Sequence, residues 1–367
     1  MWLKQLSLLN FKNYSDAEIS FSDTVNAFVG LNGSGKTNLL DAIHYLCLCK
    51  SYFNPIDIQQ IKIGEDIFLI QGNFEKNNQL EQISCGLKRN QKKQFKRNKK
   101  EYEKLADHIG QFPLVMISPY DINLVMDGSE DRRKFMDSVI SQTNPNYLDT
   151  LITYNKHLSN RNAFLKKISE SRHLDLDLLE IYNDQLVESG LKIFEVRKAF
   201  MLEFIPLFNQ YYTYLSGEQE LVDLKFQSQL FEADFSSQLV QSLSKDRALE
   251  RTTVGIHKDE LNFTIHGMSL KKFGSQGQQK SFLIALKLAQ YKYFVEKKGF
   301  KPLLLLDDIF DKLDDLRIEK LMSMVSHHDF GQIFITDTSM DRIKAIFDKI
   351  KVDIKIFVVE KGEVSYA

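Results

Sequence analysis

The octapeptide Gly30-Leu31-Asn32-Gly33-Ser34-Gly35-Lys36-Thr37 sets glycines, a lysine and a hydroxyl in the spacing GxxxxGK[ST]. Glycines let successive backbone N–H groups curl around phosphate oxygens. The lysine then meets the β- and γ-phosphates, and the threonine hydroxyl ligates Mg²⁺. The context fits this chemistry, because apolar VNAFV precedes the loop and a helical pattern from about Lys36 to Cys49 follows it. ATP and Mg²⁺ are the expected ligands.

A second group lies far down the chain in PLLLLDDIFDKLDD, residues 302–315. The continuous aliphatic run suits a strand buried on both faces, and Asp307 and Asp308 emerge at its C-terminal end, where α/β sheets place ligands. Asp307 can hold Mg²⁺ through a water, and Asp308 can polarise an attacking water. By itself the same stretch also fits a core strand ending in a solvated acidic turn.

The loop FGSQGQQK at 273–280 precedes the helical run SFLIALKLAQYKYF. Its free N–H groups at a helix N-terminus suit an anion. If Lys36 holds a triphosphate within one molecule, Ser275, Gly277 and Gln278 of another can close over the same γ-phosphate. The alternative is a polar turn that caps a helix.

Cations offer further choices. Residues 88–100 carry eight Lys or Arg and one aromatic, Phe95. They are a solvated hairpin or a contact for the DNA backbone. Arg132, Arg133 and Lys134 pose the same choice on a helix, and His257 and Lys258 are turn residues or phosphate contacts.

Residues 2–30 alternate like two strands, and residues 60–118 read as short strands with turns. Heptad stripes Leu151, Leu158, Leu165 and Leu179, Leu186, Ile193, Phe200 flank the polar segment 169–175 and predict an antiparallel helical hairpin. Pro206 should end or kink its second helix. After residue 250 strands and helices return. The expected fold is α/β: a P-loop head of mixed sheet plus N-terminal antiparallel strands, built from residues 1–130 and 250–367, with residues 131–249 as an inserted α-helical arm.

The chain has 367 residues, 43% of them hydrophobic, and a net charge of −1. Near neutrality rules out a global electrostatic attraction to nucleic acid, so an anionic partner must meet a local patch. Cys47, Cys49 and Cys85 form no metal pattern and suit a reducing cytoplasm. No apolar run approaches 18 residues, and the N-terminus shows no apolar signal core, so no membrane is expected.

Taken together these stretches resemble the RecF recombination mediators, ABC-type ATPases related to the SMC chromosome proteins. The resemblance runs from LSLLNFKNYSDAEISF through GLNGSGKTN, PLVMISPYDINLV, DRRKFMD and SNRNAFLKK to RTTVGIHKDEL, GSQGQQKSF and LLLLDDIFDKLD. It implies an ABC-type head with a helical lobe, ATP-dependent homodimerisation and weak DNA-stimulated ATP hydrolysis. It implies binding to DNA at single-strand/double-strand junctions. It also implies work with RecO and RecR in loading RecA during repair, replication-fork recovery and the SOS response, in the cytoplasm at the nucleoid. Carried over, Gly30 to Thr37 are the Walker A loop, Asp307 the Walker B magnesium ligand, Asp308 the catalytic acid, and Ser275 to Gln278 the signature loop acting in trans.

Four positions depart from the family pattern: Tyr120 replaces an acid, Ile256 and Lys258 stand where GPHRD is usual, and Asp311 replaces a serine. Thr336 to Thr338 occupy the switch position where transporter cassettes carry histidine, which implies slow hydrolysis. A transporter cassette has a much shorter stretch between P-loop and signature and no FKNY start. An SMC-type structural protein needs a far longer coiled coil. A DNA-binding module with a degenerate ATPase site differs only in turnover.

Overall fold

The computed structural model describes residues 1–171, 175–217, 220–310 and 315–367. In chain order it contains β1 (Trp2–Phe11), β2 (Tyr14–Ser20), β3 (Val25–Val29), α1 (Lys36–Leu48), β4 (Ile67–Lys76), β5 (Gln79–Lys88), β6 (Gln94–Arg97), β7 (Lys100–Glu101) and β8 (Leu114–Ile117). Then come α2 (Asn123–Met126), α3 (Ser129–Thr143), α4 (Pro145–Ser171), α5 (Leu176–Ser216), β9 (Val222–Gln227), α6 (Phe235–Gln241), α7 (Leu243–Ala248), β10 (Glu260–Ile265), β11 (Met268–Ser269) and α8 (Leu270–Phe273). The chain closes with α9 (Gln276–Lys298), β12 (Leu303–Leu306), α10 (Asp315–Ser326), β13 (Ile333–Asp337), α11 (Met340–Ile350), β14 (Ile354–Glu360) and β15 (Glu363–Tyr366).

The chain divides into two compact units. One comprises Met1–Ile122, Tyr214–Ser216 and Gln276–Ala367, and the other Asn123–Thr213 and Gly217–Ser275. The first unit carries two six-stranded sheets. One, in the order β2-β1-β4-β5-β6-β7, is antiparallel, and the other runs β15-β14-β3-β13-β12-β8. In the second sheet β14, β3, β13, β12 and β8 are parallel, and β15 returns antiparallel. Every residue of β3, β12 and β13 is buried, as central parallel strands covered on both faces must be. Phe21, Phe28, Phe334 and Phe357 pack ring against ring between strands, with the Phe21 and Phe334 centroids 4.9 Å apart. The region expected to hold two strands holds three, because VNAFV is itself a central strand. Helix α1 ends at Leu48, and Cys49 adopts a left-handed cap with φ 57°. All three cysteines are buried and free.

In the second unit α4 and α5 form the expected antiparallel hairpin. Tyr147 meets Arg197, His157 meets the Gln185 carbonyl, Arg161 meets Asn183 and Phe164 meets Tyr182, so the paired numbers fall along one helix as they rise along the other. Helix α5 neither stops nor breaks at Pro206 but continues to Ser216. The carbonyl that Pro206 leaves without its helical donor belongs to Leu202, which is 72% exposed, so water can serve it. Two buried arginines tie the hairpin down. Arg161 pairs with Asp246 at 2.8 Å, and Arg197 pairs with Asp259 at 2.7 Å and Asp137 at 2.8 Å. The segment 250–275, expected in the head, clusters instead with this unit. There β10 pairs with β9 and β11, and Asp259 is held by Arg197.

Two buried histidines, His44 and His108, and the half-buried His257 make stability depend on pH. His257 Nδ1 accepts from the Tyr154 hydroxyl while Nε2–H donates to the Thr252 carbonyl, which fixes a neutral tautomer. His108 is held alike by Tyr102 and the Leu46 carbonyl, and His44 Nδ1–H donates to the Lys50 carbonyl. Burial pushes each from the ordinary 6.5 down to about 4. The unfolded chain therefore binds more protons than the folded one between these values. Stability is full above pH 6.5 and falls as the pH drops toward 4, by up to ~1.4 kcal/mol per pH unit for each histidine. Urea midpoints should fall between pH 6.5 and 5, before carboxylates titrate. Flat midpoints over that range would show that the folded rings take up protons.

Candidate nucleotide-binding site

Strand register assembles the site. Leu306 of β12 lies opposite Ile335 of β13 and Ile117 of β8, so the next residues, Asp307, Thr336 and Ser118, come together at the carboxyl edge. Val29 of β3 lies opposite Asp337 and Val358, so the glycine loop leaves the sheet beside the same edge.

The loop is held closely from outside. The Gly30 N–H donates to the Asp337 carbonyl at 3.2 Å, and a Cβ at Gly30 would come within 2.2 Å of the Val359 carbonyl oxygen. Gly35 has φ 121°, and a Cβ there would meet Asn13 and Tyr14. Those two residues, from the FKNY stretch, brace the loop. Asn13 Nδ2 donates to the Ser34 carbonyl at 3.1 Å, and the Tyr14 hydroxyl donates to the Gly35 carbonyl at 3.0 Å. No side chain caps α1, so its first N–H groups are available to an anion. Leu31, Asn32 and Gly33 line the exposed outer turn. Ser34 Oγ is buried without a hydrogen-bond partner. Lys36 is 4% exposed, and its ammonium donates to the Gly30 and Leu31 carbonyls at 2.8 and 3.0 Å.

Thr37 Oγ1 donates to Asp307 Oδ1 at 2.9 Å, joining the loop to the end of β12. Asp307 also accepts from Thr336 Oγ1 at 2.9 Å and Ser118 Oγ at 3.5 Å. Burial raises its carboxyl above the ordinary 3.8, with the neighbouring Asp308 adding to the shift, while these hydroxyls hold it down. Asp308 lies in the left-handed region, φ 44°, and its N–H donates to Thr336 Oγ1 at 2.8 Å. One hydroxyl therefore fixes both acids.

Ser118 leads on to a buried ion pair. Its N–H donates to Asp121 Oδ2 at 2.8 Å, and Asp121 pairs at 2.7 Å with Lys287 of α9, the helix that GSQGQQ opens. Tyr52 donates its hydroxyl to the same carboxylate. A cavity of about 330 Å³ lies alongside, lined by Ser118, Pro119, Lys280, Leu283, Asp307 and Ile309.

The loop Gly30 to Thr37 and Asp307 and Asp308 thus stand together. Gly277 and Gln278 lie in the first turn of α9 within the same unit, and Ser275 closes the other unit. Tyr120 is exposed and packs against Phe53, whereas Ile256 is buried and gives its carbonyl to Arg197. Asp311 lies outside the described residues. Thr336 is fully buried between the two acids; Asp337 beside it pairs with Arg342. Asn13, Tyr14, Ser118, Asp121 and Lys287 escaped the sequence-based assignment. FKNY and ISPYD were visible as motifs, but only strand register shows what they touch.

The cationic candidates divide. Arg132 pairs with Glu260 at 2.8 Å, Arg133 donates to the Asp259 carbonyl at 2.8 Å, and Lys134 pairs with Glu130 at 2.7 Å. In the 88–100 run Phe95 belongs to the core, Lys93 pairs with Asp57 at 2.7 Å and Arg97 pairs with Glu81 at 2.5 Å.

The donor set fits a nucleotide with Mg²⁺. The loop offers a glycine cradle, an orphaned serine hydroxyl and a lysine. Thr37 and Asp307 supply two oxygens, the number Mg²⁺ takes from a protein when phosphates and water complete its shell. Among the described residues, no group of three or more His, Cys, Asp or Glu could hold a metal without such help.

A parallel sheet with a P-loop after one strand and paired acids after the next but one, flanked by an antiparallel sheet and carrying a helical insertion, defines an ABC-type ATPase head. The RecF/RecN/SMC N terminal domain model matches residues 2–364. The chain is 53% identical over 357 residues to the DNA replication and repair protein RecF of Flavobacterium johnsoniae, covering 97% of this chain and 99% of that one. It is 48% identical to RecF of Phocaeicola vulgatus, covering 100% and 98%. A solved structure of the recombination mediator protein RecF-ATP in the RecFOR pathway superposes with a TM-score of 0.90 at 31% identity, covering 100% of this chain and 97% of that one. The Smc head domain of Pyrococcus furiosus shares the fold, with a TM-score of 0.59 at 15% identity, covering 100% and 96%. The chain belongs to the RecF family.

Proposed function

We propose that this protein acts in DNA replication and repair as a RecF-type recombination mediator, an ATP-dependent DNA-binding protein that hydrolyses ATP slowly. The observation that carries the ATP part is the Thr37–Asp307 hydrogen bond, which brings the Walker A hydroxyl and the Walker B carboxylate to one point across 270 residues of sequence. The DNA part rests on full-length identity to RecF proteins.

In this reading the loop N–H groups and Lys36 bind the triphosphate, and Thr37 and Asp307 hold Mg²⁺. The metal, when bound, neutralises phosphate charge and polarises the transferred group. Asp308 orients and polarises the attacking water. Thr336 holds Asp308 in its left-handed turn, and without a switch histidine hydrolysis is slow. Ser275, Gly277 and Gln278 of a second copy close the site, so ATP makes a homodimer that binds DNA at single-strand/double-strand junctions. RecO and RecR are the partners, and RecA loading is the outcome. Among the described residues no helix is long and apolar enough to cross a membrane, and the place of work in this reading is the nucleoid in the cytoplasm.

Sedimentation of the protein with and without ATP, in the presence and absence of gapped DNA, tests this reading. ATP with Mg²⁺ should double the mass, and the dimer should comigrate with gapped DNA. A protein that stays monomeric and free of DNA under all four conditions would refute it.

A further inference from the structure

The segment 245–258 reads KDRALERTTVGIHK and carries four cations, Lys245, Arg247, Arg251 and Lys258, against two acids. Asp246, one of the acids, is fully buried and spent on Arg161 at 2.8 Å and on the Thr253 N–H at 2.9 Å. Glu250, the other, is exposed. All four cations are exposed, and among the described residues no carboxylate lies within ion-pair distance of any of them.

The framework beneath them is rigid. The Arg251 N–H donates to the Asp246 carbonyl at 3.1 Å, so the chain folds back after α7. His257 is wedged neutral between Tyr154 and the Thr252 carbonyl. Arg133, from α3, donates to the carbonyl of Asp259, the residue after Lys258. Cations from the helix α3, from α7 and from the turn before β10 therefore converge. Burial, followed by the charges of Arg251 and Arg133, holds the Lys258 ammonium below its ordinary value, with Lys245 adding to the effect and Asp246 opposing it. A fold that draws like charges together and leaves them outside any ion pair can take countercharge from a ligand.

We propose that Arg133, Lys245, Arg251 and Lys258 form a phosphate-binding surface on the second unit that grips the sugar-phosphate backbone of DNA. Cations presented from three chain segments suit a polyanion better than a single phosphate, and backbone contacts position a duplex without reading its sequence. The basic run 88–100 is the rival surface, but Lys93 and Arg97 there are bound to Asp57 and Glu81. The inference rests on the DNA-binding reading above and adds the surface that carries it.

The test measures affinity for a fluorescein-labelled gapped duplex across a salt series. Three proteins are compared: the unaltered chain, a triple variant Lys245→Ala/Arg251→Ala/Lys258→Ala, and the single variant Lys258→Arg. Each DNA phosphate that the protein no longer neutralises should lower the slope of log affinity against log salt by about 0.9. The triple variant should therefore lose about 2 to 3 in slope and bind at least tenfold more weakly at low salt, whereas Lys258→Arg should keep the slope. ATP affinity, read in parallel, should be unchanged in both variants and shows that they are folded. If the unaltered chain binds DNA and the triple variant keeps its slope, this surface is wrong and the DNA-binding reading stands. A triple variant that loses ATP affinity while keeping its DNA slope likewise overturns the assignment. If the unaltered chain binds no DNA, the reading itself fails.

Discussion

Lys36→Ala should reduce ATP affinity by about 10- to 100-fold, equivalent to ~1.5–3 kcal/mol. Lys36 is the single formal positive charge in the glycine loop, and a charge-assisted hydrogen bond to a phosphate oxygen contributes about 1.5–3 kcal/mol. In the structure this ammonium is buried and donates to the Gly30 and Leu31 carbonyls. Those bonds satisfy it in the absence of phosphate and keep it at the mouth of the loop. The substitution removes the cation without touching the glycines, and Asn13 and Tyr14 still brace the turn. The loss should therefore appear in binding and leave folding intact. Calorimetry with ATP and Mg²⁺ reads it directly. Unchanged affinity would show that the loop does not bind the triphosphate.

The second large effect concerns the proposed clasp. Ser275→Arg should turn an ATP-dependent dimer into a monomer while leaving ATP bound within each chain. The arginine would occupy the γ-phosphate position from the partner's side, whereas Lys36 and Thr37 remain in place. Asp308→Asn should act in the opposite direction. Asp307 still stands beside Thr37 to hold Mg²⁺, and Thr336 still meets the residue 308 N–H, but the carboxylate that activates water is gone. The dimer should then persist with ATP and hold DNA longer. Equilibrium sedimentation of both variants with ATP separates the outcomes. A Ser275→Arg protein that dimerises fully, or an Asp308→Asn protein that stays monomeric with ATP bound, contradicts the trans arrangement.

The P-loop, the buried aliphatic strand with its acids and the helical hairpin were legible in the sequence, because each is local. A spacing of eight residues, a run of four leucines and a seven-residue repeat all announce themselves without tertiary information. Ser118 and Thr336 were not assigned to Asp307, because their meeting follows from the register of three parallel strands separated by long stretches of chain. The boundary at 250 was missed for the opposite reason. ELNFTIHG looks like any strand, and only its pairing with β9 shows which unit it joins. Pro206 misled because an exposed carbonyl tolerates the lost bond. The basic run misled in part because Phe95, which could have been a stacking platform, is a core residue.

The order β14-β3-β13 has a consequence for synthesis. The strand that launches the P-loop is made long before its neighbours, because both of its edges pair only with strands that begin at Ile333 and Ile354. All five residues of β3 are buried in the finished sheet. A nascent chain that stops short of residue 332 therefore presents an apolar strand with two bare edges, a feature that invites association with other chains. The antiparallel sheet of β1, β2, β4 and β5 draws only on residues up to Lys88 and can form early, whereas β3 must wait for its partners. Until β13 follows, Thr336 cannot meet Asp307 and Asp308, so a product that stops before β13 lacks the hydroxyl that fixes both acids.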